Sequence, residues 1–275
     1  MSPLDAVHEV ARELDVAGVP SPRVDAELLV ADVLGLSRSE LYASDRSLGA
    51  AELGRLRDLV GRRRAREPLA YVLGEWGFRR LVLSVDARAL VPRPETEVVV
   101  ERCLVHLRGL EAPCALDVGT GSGAIALAIA DEHPAARVVA VDRSAAALAL
   151  ARENLGRSGL AARVELRRGD LLDGVRGPFD LVVSNPPYVP AREYDSLQPE
   201  IRLYEPYEAV VGDRVWERVA RSARGVLAPG GHLVLECGDG QAAGVAEGLA
   251  ALGYEGVLCT PDLAGRDRVV EAHRP

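Results

Sequence analysis

The sequence predicts an α/β chain. A small all-helical domain over residues 1–70 leads through a connector with a β-hairpin (71–97) into a mostly parallel, doubly wound sheet domain over 98–275. Three observations carry this reading. Up to about Arg66 apolar residues recur at spacings of three and four, with no two-residue alternation. Between Glu67 and Glu97 lie two β-rich runs and a proline-bracketed turn. From Cys114 onward, short apolar runs alternate with helix-length segments, the pattern of βαβ units around a parallel sheet.

The helical part opens with Val7, Val10, Ala11 and Leu14 at helical spacing. Pro20 and Pro22 break the chain before a second segment, Val24 to Leu34, which stops at Gly35. Ser37 can cap a short helix, and Leu53, Leu56, Leu59 and Val60 mark a longer one ending in RRRAR. In the sheet domain, strands are expected at 114–118, 137–141, 164–166, 179–183 and 232–236. Helices are expected at 124–130, 145–155 and 215–227, and the tail offers one more helix and two more strands.

Composition narrows the chemistry. All 33 cationic Lys+Arg positions are arginine, which excludes a Schiff base on a protein lysine and a phosphate-gripping P-loop lysine. A net charge of -8 argues against a general nucleic-acid binder, so no stable nucleic-acid partner is expected. Cys103, Cys114, Cys237 and Cys259 are scattered without metal-ligand spacing, so neither a metal site nor a disulfide framework is indicated. The N-terminus carries acids and no long apolar run; a cytoplasmic protein with no membrane segment, working as a monomer, is expected. His8, His106, His133, His232 and His273 pair with no nucleophile in sequence and read as structural or surface residues.

In ALDVGTGSGAIALAIA, Gly119, Gly121 and Gly123 fall between a strand and a helix. Glycines there let backbone turn tightly and approach a ligand at a helix N-terminus. The loop alone also fits a dinucleotide-binding turn. Asp117, two residues before the first glycine, would repel a pyrophosphate and suits a cationic amino group, such as that of S-adenosylmethionine. Asp142 ends the next strand, where an acid meets ribose hydroxyls in doubly wound folds. Asp170 follows the third strand, within reach of an adenine amine.

The sharpest motif is FDLVVSNPPYVP, which puts Asn185, Pro186, Pro187 and Tyr188 at the carboxyl end of a buried strand. Two prolines stiffen the turn and remove two donors, leaving carbonyls free to accept. An amide or aromatic-amine nitrogen is a poor nucleophile. The Asn185 side-chain oxygen and the Pro186 carbonyl could accept both of its N–H bonds and aim it at an electrophilic methyl, while Tyr188 packs on the planar group. No strong base is needed before attack on a sulfonium methyl.

With these residues assembled, the sequence resembles the HemK/PrmC family of protein-(glutamine N5) methyltransferases acting on peptide-chain release factors. EPLAYVLGE, LVPRPETE, YEPYEA, LAPGGHLVLE and DLAGRDRVV extend the likeness along nearly the whole chain. The resemblance implies a Rossmann-like class I S-adenosylmethionine-dependent methyltransferase domain. It assigns cofactor binding to Asp117, Gly119, Thr120, Gly121, Ser122, Gly123, Asp142, Arg143, Asp170, Leu171 and Asn185. Asn185 to Tyr188 would hold the acceptor glutamine of a Gly-Gly-Gln motif, and Arg93, Pro94, Glu95 and Thr96 would line the entrance. The helical domain would grip the release factor, with Arg62-Arg63-Arg64 as cationic candidates; a solvated helix end is the alternative for that run. One departure stands: the glycine-rich stretch the family carries after YEPYEAV is several residues shorter here, in VVGDRVWERV. A nitrogen methyltransferase with another acceptor (another protein, a metabolite or DNA adenine) therefore stays open.

Overall fold

The computed structural model describes all 275 residues, which form two compact units: Met1–Glu75 with Leu197–Tyr204, and Trp76–Ser196 with Glu205–Pro275.

The helical unit holds α1 (Pro3–Val16), α2 (Pro22–Leu34), α3 (Arg38–Ala43), α4 (Ala50–Arg64) and α5 (Leu69–Leu73). Local chemistry sets their ends. The Ser2 hydroxyl accepts from the Asp5 N–H, and Gly35 closes α2 in the left-handed region at φ 65°. Ser37 and Glu40 form a capping box on α3. Val7, Leu14, Leu29, Val30 and Leu41 fill the core. This unit extends through Glu75, with Ala70, Tyr71 and Val72 in a buried helical turn. The return of residues 197–204 to this unit has no local signature; it rests on a distant ion network. Arg63 Nε lies 2.7 Å from Asp25, Arg63 Nη1 lies 2.8 Å from Glu200, and the Arg66 guanidinium bonds both Glu200 oxygens.

The second unit begins with a hairpin, β1 (Glu75–Phe78) and β2 (Leu81–Ser84), then α6 (Thr96–Leu107). Alternation follows: β3 (Cys114–Val118), α7 (Ala124–Glu132), β4 (Arg137–Asp142), α8 (Ala145–Ser158), β5 (Val164–Arg168) and β6 (Phe179–Ser184). After the helix Pro199–Tyr204, which belongs to the helical unit, a short helix at Tyr207–Val210 and a longer one at Val215–Ala223 precede β7 (Leu227–Glu236), and the helix Ala242–Ala251 leads into β8 (Glu255–Pro261) and β9 (Asp267–His273). The seven-stranded sheet has the order β5-β4-β3-β6-β7-β9-β8. The first five are mutually parallel; β9 runs antiparallel to β7, and β8 to β9. This is the α/β, Rossmann-like arrangement expected.

β3 is flanked by β4 on one side and β6 on the other, so crossovers leave it in opposite directions. A crevice opens at the carboxyl ends there. Leu116, Val182, Leu233 and Leu235 are wholly buried, as befits strands covered on both faces. The hairpin is tied to this unit through buried Asn154 of α8. Its Oδ1 accepts from the Ser84 N–H at 2.7 Å, and its Nδ2 donates to the Ser84 and Ser122 carbonyls at 3.1 and 2.9 Å.

Candidate active site

Five strand ends meet at one edge of the sheet. β3 delivers the glycine loop, β4 Asp142, β5 Asp170, β6 Asn185 and β7 Glu236. A cavity of about 280 Å³ opens there. Its walls include Gly119, Thr120, Gly121 and Ser122 from the loop, Asp142, Arg143, Asp170 and Leu171, and Asn185 and Pro187. Arg93 and Thr96 close another side, with Pro206, Ala209 and Val211 from the segment after the helical excursion.

The glycine loop needs glycine. Gly119, Gly121 and Gly123 all have positive φ, at 77°, 57° and 87°. A Cβ on Gly119 would meet nothing within 4 Å, whereas on Gly123 it would press Leu127 at 3.3 Å. Asp142 shapes the loop from below: Oδ2 accepts from the Gly121 N–H at 2.9 Å and Oδ1 from the Ser144 N–H at 2.8 Å. Its remaining lone pairs are available for ligand hydroxyls. Acid, apolar side chain and open loop backbone together fit the nucleoside and amino-acid ends of S-adenosylmethionine.

Asp117 sits at the end of β3, beneath the loop. It does not line the cavity and is fully buried. Its Oδ2 accepts from the Thr120 hydroxyl at 2.6 Å and the Ala126 N–H at 3.2 Å, bracing loop to helix. Burial pushes its carboxyl up to about 7. Its Oδ2 thus braces the loop, while its Oδ1 is buried without a hydrogen-bond partner. Gly123, at the helix start, also lies outside the lining.

The turn after β6 is held from several sides. The Ser184 hydroxyl donates to the Val118 carbonyl at 2.7 Å, locking β6 to β3. Asn185 Nδ2 donates to Thr96 Oγ1 at 3.3 Å. Gln241 Nε2 donates to the Tyr188 carbonyl at 2.9 Å. Tyr188 is largely buried, and burial together with the nearby Glu236 carboxylate pushes its phenol up to about 12. Pro186 and Tyr188 flank the turn outside the cavity lining, so of the tetrapeptide it is Asn185 and Pro187 that face the space.

Arg93 lines the cavity and is bound by buried Glu205, whereas Pro94 and Glu95 do not line it. Glu95 instead faces Arg266 at 3.5 Å. Asp170 meets Arg218 at 3.3 Å. The cationic run is paired within the helical unit. Arg62 pairs with Glu67, Arg63 is buried between Asp25 and Glu200, and Arg64 pairs with Glu13. Sequence reasoning did not single out Glu205, Arg218 or Ala209; pairs as distant as Arg93 and Glu205 leave no local pattern.

Comparison with known proteins fits this geometry. A family model described as the PrmC N-terminal domain matches residues 5–74, and one described as the methyltransferase small domain matches 98–200. A release factor glutamine methyltransferase of Deinococcus radiodurans is 44% identical over 277 residues, covering 98% of this chain and 98% of that protein. The Geobacter sulfurreducens protein of the same name is 42% identical, covering 92% of this chain and 90% of its own length. Among solved structures, the Thermus thermophilus 16S rRNA N2 G1207 methyltransferase aligns with a TM-score of 0.53 at 18% identity, over 73% of this chain and 50% of that one. That likeness shows the shared methyltransferase fold. With both ends of the chain matched at this identity, the protein belongs to the release factor glutamine methyltransferase family.

Proposed function

We propose that the protein transfers a methyl group from S-adenosylmethionine to the side-chain amide nitrogen of the glutamine in the Gly-Gly-Gln motif of peptide-chain release factors. The observation that carries this reading is the convergence of the glycine loop, Asp142 and the Asn185 turn on one cavity.

S-adenosylmethionine supplies an electrophilic methyl on a sulfonium sulfur. Gly119 to Ser122 and Asp142, with Arg143, Asp170 and Leu171, would hold it. Asn185, which lines the cavity, would accept an N–H bond of the acceptor amide through its Oδ1 and hold the nitrogen toward the methyl. As the new N–C bond forms, the S–C bond breaks and the sulfur keeps the electron pair. The nitrogen, briefly cationic, then loses one proton to water. Acceptors fixed in place stabilise the growing positive charge on nitrogen without reorganising. Tyr188 stays a neutral phenol across physiological pH, its ionisation pushed up to about 12 chiefly by burial, and it packs beside the turn.

The helical unit contributes release-factor recognition in this reading. The enzyme acts in the cytoplasm as a monomer, and no helix is long and apolar enough to cross a membrane. Incubation with methyl-labelled S-adenosylmethionine and purified release factor tests the proposal, with DNA and small amides as parallel acceptors. Label should appear on the Gly-Gly-Gln glutamine and vanish when that glutamine is replaced by alanine. Label on DNA or a small amide, with the release factor unlabelled, would overturn the acceptor assignment.

A further inference from the structure

We propose that Glu236, acting through Thr96, is a positioning residue that fixes which way the Asn185 side-chain amide faces. This deepens the preceding reading and rests on its assignment of Asn185 as the group that meets the acceptor.

Ser184 pairs with Leu235 across parallel β6 and β7, so the next residues, Asn185 and Glu236, leave their strands side by side. Thr96, at the start of α6, sits between them. Its hydroxyl donates to Glu236 Oε2 at 2.7 Å, which leaves the hydroxyl oxygen to accept from Asn185 Nδ2 at 3.3 Å. Glu236 and Thr96 are 1% and 4% exposed, so water does not compete for these bonds.

Direction decides the argument. A primary amide is nearly symmetric in shape but not in chemistry, carrying two donors on one arm and two acceptor sites on the other. In its ionised form Glu236 is acceptor-only, so at the end of the relay it selects the NH2 arm of Asn185 and leaves Oδ1 for the cavity. With the opposite flip, Asn185 would present donors to the acceptor's own N–H bonds, and the glutamine nitrogen would be turned away.

A satisfied strand-end carboxylate is a poorer account. Burying a carboxyl group beside few partners is unfavourable, and burial lifts Glu236 to about 7. Arg268, the nearby cation, bonds the Cys237 carbonyl and faces Asp262. An apolar residue would serve a purely structural role at lower cost.

The test compares Glu236→Gln, Thr96→Val and Thr96→Ser with the parent by three measurements. These are kcat and KM for release-factor methylation, S-adenosylmethionine affinity by calorimetry, and the side-chain amide signals of Asn185 in a ¹H–¹⁵N NMR spectrum. Glu236→Gln and Thr96→Val should lower kcat on the order of 10- to 100-fold, with cofactor affinity and KM within about threefold. Thr96→Ser, which keeps the hydroxyl, should recover most of the kcat that Thr96→Val loses. In both impaired variants the Asn185 NH2 signals should move toward those of a solvent-exposed asparagine. Parent-like kcat together with unmoved NH2 signals would overturn the positioning role. Should Glu236→Gln fail to fold, Thr96→Val tests the same relay. The NMR comparison needs no acceptor, so it decides the positioning role even if the parent leaves release factor unlabelled, an outcome that would defeat only the acceptor reading.

Discussion

One nitrogen of Arg93 lies 2.5 and 2.6 Å from the two carboxylate oxygens of Glu205, a residue with no exposed side-chain surface. The pair joins the segment before α6 to the segment that follows the helical excursion, both of which wall the cavity. Burial pushes the Glu205 carboxyl up, and Arg93 opposes that shift. Removing the arginine leaves a buried acid without its counter-charge. Arg93→Ala should therefore cost about 3 kcal/mol, read as a lower urea midpoint at unchanged m-value. Adding Glu205→Gln should recover part of that loss, since a neutral amide needs no counter-charge. A loss below about 0.5 kcal/mol, within the range of ordinary surface substitutions, would show that the pair is dispensable.

Asp142 serves the loop and, in the proposed function, the cofactor. Asp142→Ala removes the acceptor for the Gly121 N–H as well as the ribose partner. Hydrogen bonds to a charged group contribute roughly 1.5–3 kcal/mol, so S-adenosylmethionine affinity should fall about ten- to a hundredfold by calorimetry. Unchanged affinity would remove Asp142 from the cofactor site.

Gly212 lies in the shortened stretch after YEPYEAV. A Cβ there would lie 2.5 Å from the Pro187 carbonyl oxygen and 2.8 Å from Val215. Its N–H donates to the Val189 carbonyl at 3.1 Å, so the backbone cannot retreat without breaking that bond. Gly212→Ala should displace the Pro186-Pro187 turn and lower stability by about 1–3 kcal/mol. Turnover should fall while cofactor affinity stays within about twofold of the parent, on the reasoning that small misplacements cost rate. Parent-like turnover would mean that the turn yields without consequence.

His106 and His232 stack with ring centroids 3.8 Å apart, and His273 lies 5.9 Å from His232. Burial first, then the two neighbouring imidazoles, depress His232 to about 4, against the pull of Glu271. Above the ordinary imidazole value of 6.5 the ring is neutral in both folded and unfolded chains. As pH falls from there toward 4, the unfolded chain takes up a proton that the folded one refuses, and stability is lost. Urea midpoints at pH 7.5 and 4.5, values chosen to bracket about that window, should show a smaller loss for His232→Gln than for the parent. Equal losses would exclude this ring as a source of acid sensitivity.

The parts of the site legible in sequence are those whose meaning is local. Gly119 and Gly121 announce a left-handed backbone, Asn185 sits in a proline-stiffened turn, and Asp142 ends a strand at a set distance from the loop. Asp117 was legible as an acid at a strand end, but not the direction of its carboxylate, which Thr120 and the α7 backbone decide. Arg63 read as surface charge because nothing in RRRAR reveals Asp25 and Glu200 waiting for it. The helix–sheet alternation was readable in order, whereas residues 197–204 joined the helical unit through partners more than a hundred positions away.

Asn154 has a further consequence. By offering Ser84 one acceptor and one donor, its amide does what a neighbouring strand would do, and the same group holds the Ser122 carbonyl of the glycine loop. A ligand that stills the loop should therefore also still the second strand of the hairpin. Deuterium uptake at the Ser84 amide becomes a gauge of occupancy, read from a residue that does not line the cavity.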